Sequence, residues 1–145
     1  MTVLSNESVV ERFNRTRPPA IATLGGEVIE ADAQAGRVTM RFKVRPEFCH
    51  SGNIVQGGFI TGMLDTSMAH AALAKAHFNA AVPTLEVKVS FFAPGRPGIM
   101  VARGWVVHWG RSIGFCESEL TADDGSIVAR ATATCRIVKL EKPVR

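Results

Sequence analysis

Several kinds of partner are excluded by what this sequence lacks. It has no tyrosine, its aromatic residues amount to 7%, and its basic residues are scattered although the net charge is +4. A nucleic-acid-binding protein usually presents aromatic platforms and a basic stripe, so we expect no nucleic-acid partner. No apolar run approaches the roughly 20 residues that cross a bilayer, and residues 1–14 contain no apolar run beside a basic region. We therefore expect neither a membrane span nor a signal peptide.

Cysteine and metal-binding patterns are also missing. Cys49, Cys116 and Cys135 are odd in number, and their spacing fits neither a disulfide framework nor a zinc site. A reducing cytoplasm is the simplest setting for such a chain. His70 and His77 lack an H-E-x-x-H motif and a carboxylate partner, so we place them on a helix surface or at a subunit contact and expect no metal. No phosphate-binding glycine loop occurs, so no nucleotide cofactor is expected either.

The length and composition fit one domain, which we place at residues 1–145. A chain that is 46% hydrophobic can build one core, and 145 residues leave little room for a second. The domain opens with a predicted helix over residues 5–17, which two prolines end. Residues 20–31 are then typical of a strand that bends or bulges at the glycine pair 25–26.

Alternation of apolar and polar residues dominates the rest of the chain, with one interruption. Residues 37–44 alternate strictly, which predicts a strand with one buried face, and residues 46–56 form a polar loop. Residues 57–78 are apolar on most sides and free of proline, which predicts a buried helix. Four further strands are predicted, over residues 85–91, 101–107, 113–121 and 127–137. A D-D-G turn at 123–125 joins the last two as a hairpin.

One buried helix among antiparallel strands has an economical solution, in which the sheet curls around the helix and covers its apolar surface. The sequence therefore predicts an α+β architecture with a curled antiparallel sheet wrapped around one long buried helix. Alanines recur along that helix, at positions 69, 71, 72, 74 and 76, and these small side chains let the sheet approach closely.

Asp65 is the most informative residue of the predicted helix, because it is the only charge before Lys75. A carboxylate among apolar side chains costs free energy unless it is paired or useful, so a catalytic role is one interpretation. Two structural alternatives stay open. Asp65 could be the N-cap of a helix that starts at Thr66, or a partly solvated carboxylate at the helix surface.

The glycine pair Gly57-Gly58 stands at the start of the apolar segment. Backbone N–H groups at the positive end of a helix dipole suit a developing oxyanion, although a tight turn explains two glycines equally well. Gly57 and Asp65 would lie roughly 12 Å apart along a helix, which is too far for both to act on one carbonyl. A second subunit could bring its own Asp65 close, so a shared site is expected if the protein dimerises.

A G-x-S-x-G motif at residues 110–114 is not a nucleophile elbow. That motif needs a strand, a sharp turn and a helix, whereas here it lies between two predicted strands. No histidine follows Ser112 in the sequence, so the usual catalytic triad cannot form in chain order. We interpret these residues as a hairpin connection.

The stretch HSGNIVQGG, residues 50–58, is followed at residues 64–66 by LDT. This arrangement resembles the signature of the phenylacetate-degradation (PaaI) type of hotdog thioesterase, in the 4-hydroxybenzoyl-CoA thioesterase-like superfamily, which runs N-P-x-G-x-V-H-G-G and then L-x-D-x-A. The glycine pair, the aspartate and their spacing match. The resemblance covers about residues 35–138 and takes in Pro94, Gly110-Arg111, Asp124-Gly125 and the last predicted strand.

The resemblance implies a hotdog fold and hydrolysis of an acyl- or aryl-acyl-coenzyme A to the free acid and coenzyme A, without a cofactor. It also implies a homodimer or a dimer-of-dimers tetramer whose active sites lie between subunits. In such a site Gly57, with Gly58 beside it, offers its backbone N–H to the thioester carbonyl. Asp65 of the opposite subunit acts as the nucleophile or as the general base for water. Thr84 stands where relatives often have a helpful hydroxyl.

Two positions depart from the family pattern: His50 replaces the usual Asn, and Gln56 replaces the usual His. Both side chains can donate a hydrogen bond, so we expect them to bind or orient the thioester carbonyl. Arg96 and Arg111 are candidates for contacts to the phosphates of coenzyme A, because a guanidinium group matches phosphate geometry. A solvated surface position is equally consistent with the sequence for each arginine.

Two other functions stay open on the sequence alone. A hotdog hydratase or dehydratase usually carries a catalytic histidine near the helix, and Gln56 in that position argues against one. A non-catalytic acyl-CoA binder keeps the pocket and loses the acid, and the presence of Asp65 argues against that. The sequence does not fix the acyl group.

Overall fold

The computed structural model describes residues 3–142, which contain three α-helices, ten strands and two short 3-10 turns. The helices are α1 (Asn6–Arg15), α2 (Pro19–Thr23) and α3 (Gly57–Lys75). The strands are β1 (Gly26–Asp32), β2 (Arg37–Val44), β3 (Cys49–His50), β4 (Ile54–Val55), β5 (Ala80–Ala81), β6 (Thr84–Phe91), β7 (Gly98–Trp109), β8 (Ile113–Ala122), β9 (Ile127–Arg136) and β10 (Val138–Lys139).

Six of these strands form one antiparallel sheet in the order β1-β2-β7-β8-β9-β6, and α3 packs across one face of it. Alternate side chains of each inner strand are buried beneath α3. On β2 these are Val38, Met40, Phe42 and Val44, as the alternation predicted. The α+β hotdog arrangement, with its sheet wrapped around one long buried helix, is confirmed. Among residues 3–142, no helix combines the length and the apolar character that a membrane crossing needs.

α3 approaches the sheet very closely at Gly104, in the middle of β7. A Cβ atom added there would lie 2.3 Å from the backbone oxygen of Ser67, so no side chain fits between helix and strand. Met63, Leu64 and Met68, from the same part of the helix, are almost completely buried. Because its middle is clamped in this way, α3 holds both of its ends in fixed positions relative to the sheet.

The two edges of the sheet differ. At the β1 edge, the Asn14 side chain of α1 donates to the Val28 oxygen at 2.8 Å and accepts from the Val28 N–H at 2.9 Å. Asn6 likewise accepts from the Ala33 N–H. At the opposite edge, β6 pairs with β9 on one side and has no strand on its other side within the described part of the chain. The sheet thus has one covered edge and one open edge.

The sequence interpretation of residues 20–31 as one broken strand is wrong in its first half. Pro19–Thr23 is the short helix α2, and β1 starts only at Gly26. Pro18 is extended and Pro19 occupies the first helical turn, where its fixed φ and missing N–H cost nothing. The buried side chain of Ile21 then anchors the turn in the core.

The expectation for the two helix histidines also needs correction. His70 is buried on α3, its ring centroid lies 4.4 Å from that of Phe13, and its Nδ1 is 2.9 Å from the Thr66 oxygen. Burial lowers the pKa of His70 to about 4, against the opposing effect of the hydrogen bond to Thr66. His70 is therefore a neutral core residue rather than a surface one. His77 lies beyond the end of α3, in a left-handed conformation (φ 49°).

Candidate active site

The first functional feature is the start of α3. Gln56 is extended (φ −62°, ψ 138°), and its carbonyl accepts hydrogen bonds from the N–H groups of Phe59 and Ile60. The N–H groups of Gly57 and Gly58 have no acceptor among residues 3–142. Two donors are therefore available at the positive end of a 19-residue helix, where a developing oxyanion is stabilised. The Gln56 side chain is exposed and makes no capping hydrogen bond, so its amide is available too.

Gly57 also lines an open cleft of about 360 Å³. A Cβ atom on Gly57 would lie 3.1 Å from Cζ of Phe91, so glycine lets this ring rest against the helix start. The other lining residues are mostly apolar: His50, Ile54, Val55, Ile60, Phe92, Ala93, Pro94 and Gly95. An apolar cleft with a free backbone N–H at its wall can bind an acyl group and its carbonyl oxygen together.

A larger depression, of about 500 Å³, lies against β1, β2 and β7 and includes Trp105 and charged residues in its lining. None of the residues predicted for the site lines it. Size alone does not identify a reaction site, because function depends on which chemical groups converge. We therefore place the candidate site at the smaller cleft, where free amides meet apolar walls.

His50 reaches the cleft on a small hairpin. Strands β3 and β4 pair with each other, and we call residues 49–55 the His50 hairpin. The polar loop predicted at residues 46–56 thus has structure of its own. The base of the hairpin is tied down, because the Val55 N–H donates to the Gly95 oxygen at 2.9 Å. His50 and Gly57 both line this cleft.

Asp65 lies two helical turns further along α3. The helix already begins at Gly57, so the interpretation of Asp65 as an N-cap is wrong. Its carboxylate is partly exposed, and its Oδ1 accepts a hydrogen bond from Oγ1 of Thr84 at 2.8 Å. Thr84 is the first residue of β6, so the pair lies at one end of the open edge of the sheet.

The two predicted halves of the site are not brought together within one chain. Gly57 is in contact with Phe91 at the last residue of β6, whereas Asp65 is bonded to Thr84 at its first. Along the helix axis the two residues of α3 are roughly 12 Å apart. One carbonyl therefore cannot reach both groups of the same chain.

The two candidate arginines differ in their surroundings. Arg111 is exposed in the turn between β7 and β8, which also shows that the G-x-S-x-G stretch is the expected hairpin connection. Arg96 is exposed as well, but its Nη1 donates to the Gly52 oxygen at 3.0 Å. Arg111 has no hydrogen-bond or ion-pair partner among residues 3–142, so its guanidinium group is available to a ligand, while that of Arg96 is partly used by the protein itself.

Phe91, Phe92 and the contact made by Arg96 were not predicted as parts of the site from the sequence. Phe91 and Phe92 end a strand pattern with two large apolar residues that are more than half exposed. An aromatic pair that breaks the alternation at the end of a strand was the available signal. The contact of Arg96 with residues more than 40 positions away left no local signal at all.

The described residues hold no ready-made metal centre. No group of three or more His, Cys, Asp or Glu side chains within residues 3–142 is placed to bind a metal ion. Cys49, Cys116 and Cys135 are free thiols, the last two of them buried. That the protein needs no metal stays a prediction.

Comparison with known proteins now adds to this geometry. The family model of the Thioesterase superfamily matches residues 52–129, which is more than half of the chain. This chain belongs to the thioesterase superfamily. The match runs from the tip of the His50 hairpin through α3 and into β9, so it includes both Gly57 and Asp65. The protein is a thioester hydrolase.

The thioesterase is similar to solved structures over most of its length. A phenylacetic acid degradation-related protein of Ralstonia eutropha JMP134 is 31% identical, with 88% of this chain and 98% of that chain covered and a TM-score of 0.80. A thioesterase family protein of Silicibacter pomeroyi is 27% identical, with 92% and 98% covered and a TM-score of 0.81. The PaaI protein of E. coli, at 18% identity, 97% and 100% coverage and a TM-score of 0.82, shows a shared fold. The resemblance to PaaI-type hotdog thioesterases is confirmed.

Proposed function

We propose that this thioesterase hydrolyses acyl- or aryl-acyl-coenzyme A to the free acid and coenzyme A, in sites shared between two copies of the chain. The observation that carries the proposal is the opposite placement of Gly57 and Asp65 at the two ends of the open strand β6. Each chain offers an oxyanion donor at one end and a carboxylate at the other. Two chains related by a two-fold axis would complete two sites.

Antiparallel pairing of β6 with β6 of a second copy would join the halves. A two-fold axis between Val87 and Lys88 would set Thr84 of one copy opposite Phe91 of the other, a few ångströms across the strands. Asp65, held by Thr84, would then face the cleft that Phe91 and Gly57 line in the second copy. The exposed side chains of Leu85, Phe91 and Phe92 supply apolar surface for such a contact.

In this shared site the Gly57 N–H, with Gly58 beside it, binds the thioester oxygen and stabilises the negative charge that develops there. His50 lines the same cleft and Gln56 directly precedes Gly57, so their side chains would donate to the same oxygen or orient the acyl group. The apolar walls around Phe91 and Ile60 hold the acyl group itself. The thioester carbon is thereby turned toward the carboxylate of the other chain.

Asp65 can act in either of two ways. Its carboxylate can attack the carbonyl carbon, expel the thiolate of coenzyme A and form a mixed anhydride that water then cleaves. Alternatively, it can take a proton from a water molecule that attacks the carbon directly. In both routes the Thr84 hydroxyl, which donates to Oδ1, leaves Oδ2 for the reaction. The sum of either route is one thioester and one water consumed, with one acid and one thiol released.

Arg111 is the better of the two candidate phosphate contacts. Its guanidinium group is exposed in the β7–β8 turn. Cross-strand pairing joins Gly114 to Cys135 and Cys135 to Thr84, so this turn lies at the Asp65 end of the sheet. A flexible coenzyme A that leaves the site at this end would pass an exposed cation, which suits its phosphates.

The direct test is turnover of a panel of straight-chain and aromatic acyl-coenzyme A thioesters, followed with a reagent that detects the released thiol. We expect thiol release that persists in the presence of EDTA. Loss of activity on chelation would contradict a metal-free reaction. Hydration of an enoyl-coenzyme A without thiol release would instead make the protein a hydratase, and binding without turnover would make it an acyl-CoA binder.

Complementation tests the shared site. Gly57→Pro and Asp65→Asn chains are each expected to form nearly inactive homodimers. In a mixed dimer one site carries both changes, while the other combines an intact Gly57 with an intact Asp65. After random subunit exchange of equal amounts, about a quarter of wild-type activity should return. No recovered turnover after verified exchange would contradict a site built from two chains.

A further inference from the structure

The His50 hairpin is too small to be rigid by itself. Its two strands are two residues long each, and isolated short hairpins are marginally stable in water. Its tip contains Gly52 (φ 73°) and Asn53 (φ 57°), both in the left-handed region. A segment of this kind needs contacts from outside if it is to hold a catalytic side chain in one place.

Burial of Val55 supplies apolar packing, and within the described residues the long-range hydrogen bonds that reach the hairpin from outside come from one short segment, Gly95-Arg96. At the base of the hairpin, the Gly95 oxygen accepts from the Val55 N–H at 2.9 Å. At the tip, Nη1 of Arg96 donates to the Gly52 oxygen at 3.0 Å and lies 3.5 Å from the Asn53 oxygen. His50 is paired across the hairpin with Ile54, which lies between these two anchors in the chain, and it lines the cleft beside Gly57.

The Arg96 guanidinium has no carboxylate partner among residues 3–142, where the ion pairs are Arg41–Glu27 and Arg130–Glu119. Its positive charge therefore acts on the hairpin carbonyls, and hydrogen bonds from a charged donor are stronger than neutral ones. Both contacts use Nη1, so this donor is committed to the hairpin carbonyls rather than to a substrate phosphate.

We propose that Arg96 is a positioning residue of the thioesterase site, which fixes the His50 hairpin against the cleft, and not a contact to the phosphates of coenzyme A. The proposal rests on the proposed function for what His50 binds. Small displacements of a substrate-binding group are costly, and about 1 Å is enough to lose activity many-fold. Arg96 thus influences the thioester carbonyl through His50, without touching the substrate.

A thioester without phosphates separates the two roles. Arg96→Met keeps the apolar stem and removes the donors, and it is compared on an acyl-coenzyme A and on the N-acetylcysteamine thioester of the same acid. We expect kcat/KM to fall about tenfold on both, mainly through kcat, with partial rescue by Arg96→Lys. A loss confined to the coenzyme A substrate would overturn the proposal. Arg111→Gln shows how a phosphate contact behaves, with a larger loss on the coenzyme A thioester.

A double-mutant cycle tests whether Arg96 acts through His50. If it does, the variant with both His50→Ala and Arg96→Met should be little worse than the poorer single variant. If the fold-loss in kcat/KM of the double variant equalled the product of the two single losses, the two residues would act independently, which contradicts the proposal. Arg15→Gln, an exposed arginine on α1 far from the cleft in the fold, is the matched control for loss of a positive charge.

A third measurement does not depend on turnover. In Arg96→Met, amide hydrogen exchange in residues 49–55 should speed up about tenfold while the centre of α3 keeps its protection. Unchanged exchange in the hairpin would overturn the positioning role even if no thioester proved to be a substrate. If the wild-type protein released no thiol, the proposed function would fail, and this measurement would still decide the role of Arg96.

Discussion

The two ends of β6 carry the two halves of the candidate site, and they are built differently. At the Phe91 end the functional group is a backbone amide, whose position follows from where α3 begins and from the absence of a side chain on Gly57. At the Thr84 end it is a side-chain carboxylate, held by one hydroxyl at 2.8 Å and partly exposed.

The difference separates what one chain can build from what it cannot. The amide end is complete in a single chain, with free donors, apolar walls and the His50 hairpin in place. The carboxylate end remains open to water, and desolvation is what makes such a group most effective in electrostatic catalysis. On this interpretation folding of the monomer makes a binding cleft, and pairing of two chains makes a catalyst.

The largest effect is expected at the carboxylate end. Asp65→Asn keeps the shape of the side chain and can still accept from Thr84, but it removes the negative charge. Loss of a general base costs about 10²–10⁴-fold in kcat, and loss of a nucleophile can cost more. The measurement is kcat, and thermal unfolding checks that the variant folds. Asp123→Asn, which makes the same change in an exposed turn, is the control. Near-normal turnover would remove Asp65 from the site.

At the amide end, two substitutions of Gly57 distinguish the effect of losing its N–H donor from the effect of adding a side chain next to Phe91. Proline fits the first position of a helix, and the extended Gln56 before it is compatible with a following proline. Gly57→Pro should lower kcat about 10²–10³-fold, because it deletes an oxyanion donor. Gly57→Ala adds a Cβ that crowds Phe91 but keeps the N–H donor, so kcat should fall less in this variant than in Gly57→Pro. Equal losses in the two variants would argue against the N–H as the functional group.

His70 provides a contrast to Asp65, because it is a polar residue of the same helix that is buried and has no expected role in turnover. Burial lowers its pKa to about 4 from 6.5. The unfolded chain thus binds a proton more readily than the native one. The contribution of His70 to the free energy of unfolding is therefore fully present above pH 6.5. As the pH falls from 6.5 toward 4, this contribution is lost, which lowers the free energy of unfolding by about 3 kcal/mol.

The measurement is the free energy of unfolding as a function of pH. His70→Gln cannot be protonated in this range, so its stability should vary less between pH 6.5 and 4 than that of the wild type. His108→Gln, at an exposed position on β7, should keep the wild-type pH dependence. If His70→Gln lost as much stability between pH 6.5 and 4 as the wild type does, groups other than His70 would be responsible for that loss. Its kcat at pH 8 should stay close to normal, in contrast to Asp65→Asn.

The same comparison shows what could be predicted from the sequence. Strict alternation located β2 at residues 37–44 without error, and the uniform apolar character of residues 57–78 located α3, which ends three residues earlier than predicted, at Lys75. Both halves of the candidate site lie on that helix, so its start and its single early carboxylate were visible as local features. Periodicity carries this information because each pattern is repeated over several residues.

Features that depend on distant contacts were not predictable. Thr84 and Asp65 are 19 residues apart, and Arg96 meets Gly52 from 44 residues away, so sheet topology and loop geometry decide both contacts. The predicted strand over residues 20–31 was wrong at α2, because Pro19 suits a first helical turn and burial of Ile21 depends on contacts from other elements. His70 looked like a surface residue because a partner such as Phe13 comes from another element.

The smallest effect is expected at the hydroxyl that holds the carboxylate. Thr84→Val is nearly isosteric and deletes the hydrogen bond to Oδ1 of Asp65, while Thr84→Ser keeps it. One hydrogen bond to a charged group corresponds to about tenfold in rate, so kcat should fall by roughly that factor in Thr84→Val with KM little changed. Thr84→Ser should retain most of the activity.

Combination with Asp65→Asn then decides whether the hydroxyl acts only through the carboxylate. If Thr84 merely orients Asp65, Thr84→Val should cause little further loss once the charge is gone, because the two residues form one unit. A full additional tenfold loss would mean that the hydroxyl contacts water or substrate by itself. In that case the carboxylate end would consist of two independent groups, and the contrast with the single backbone donor at the Gly57 end would be greater still.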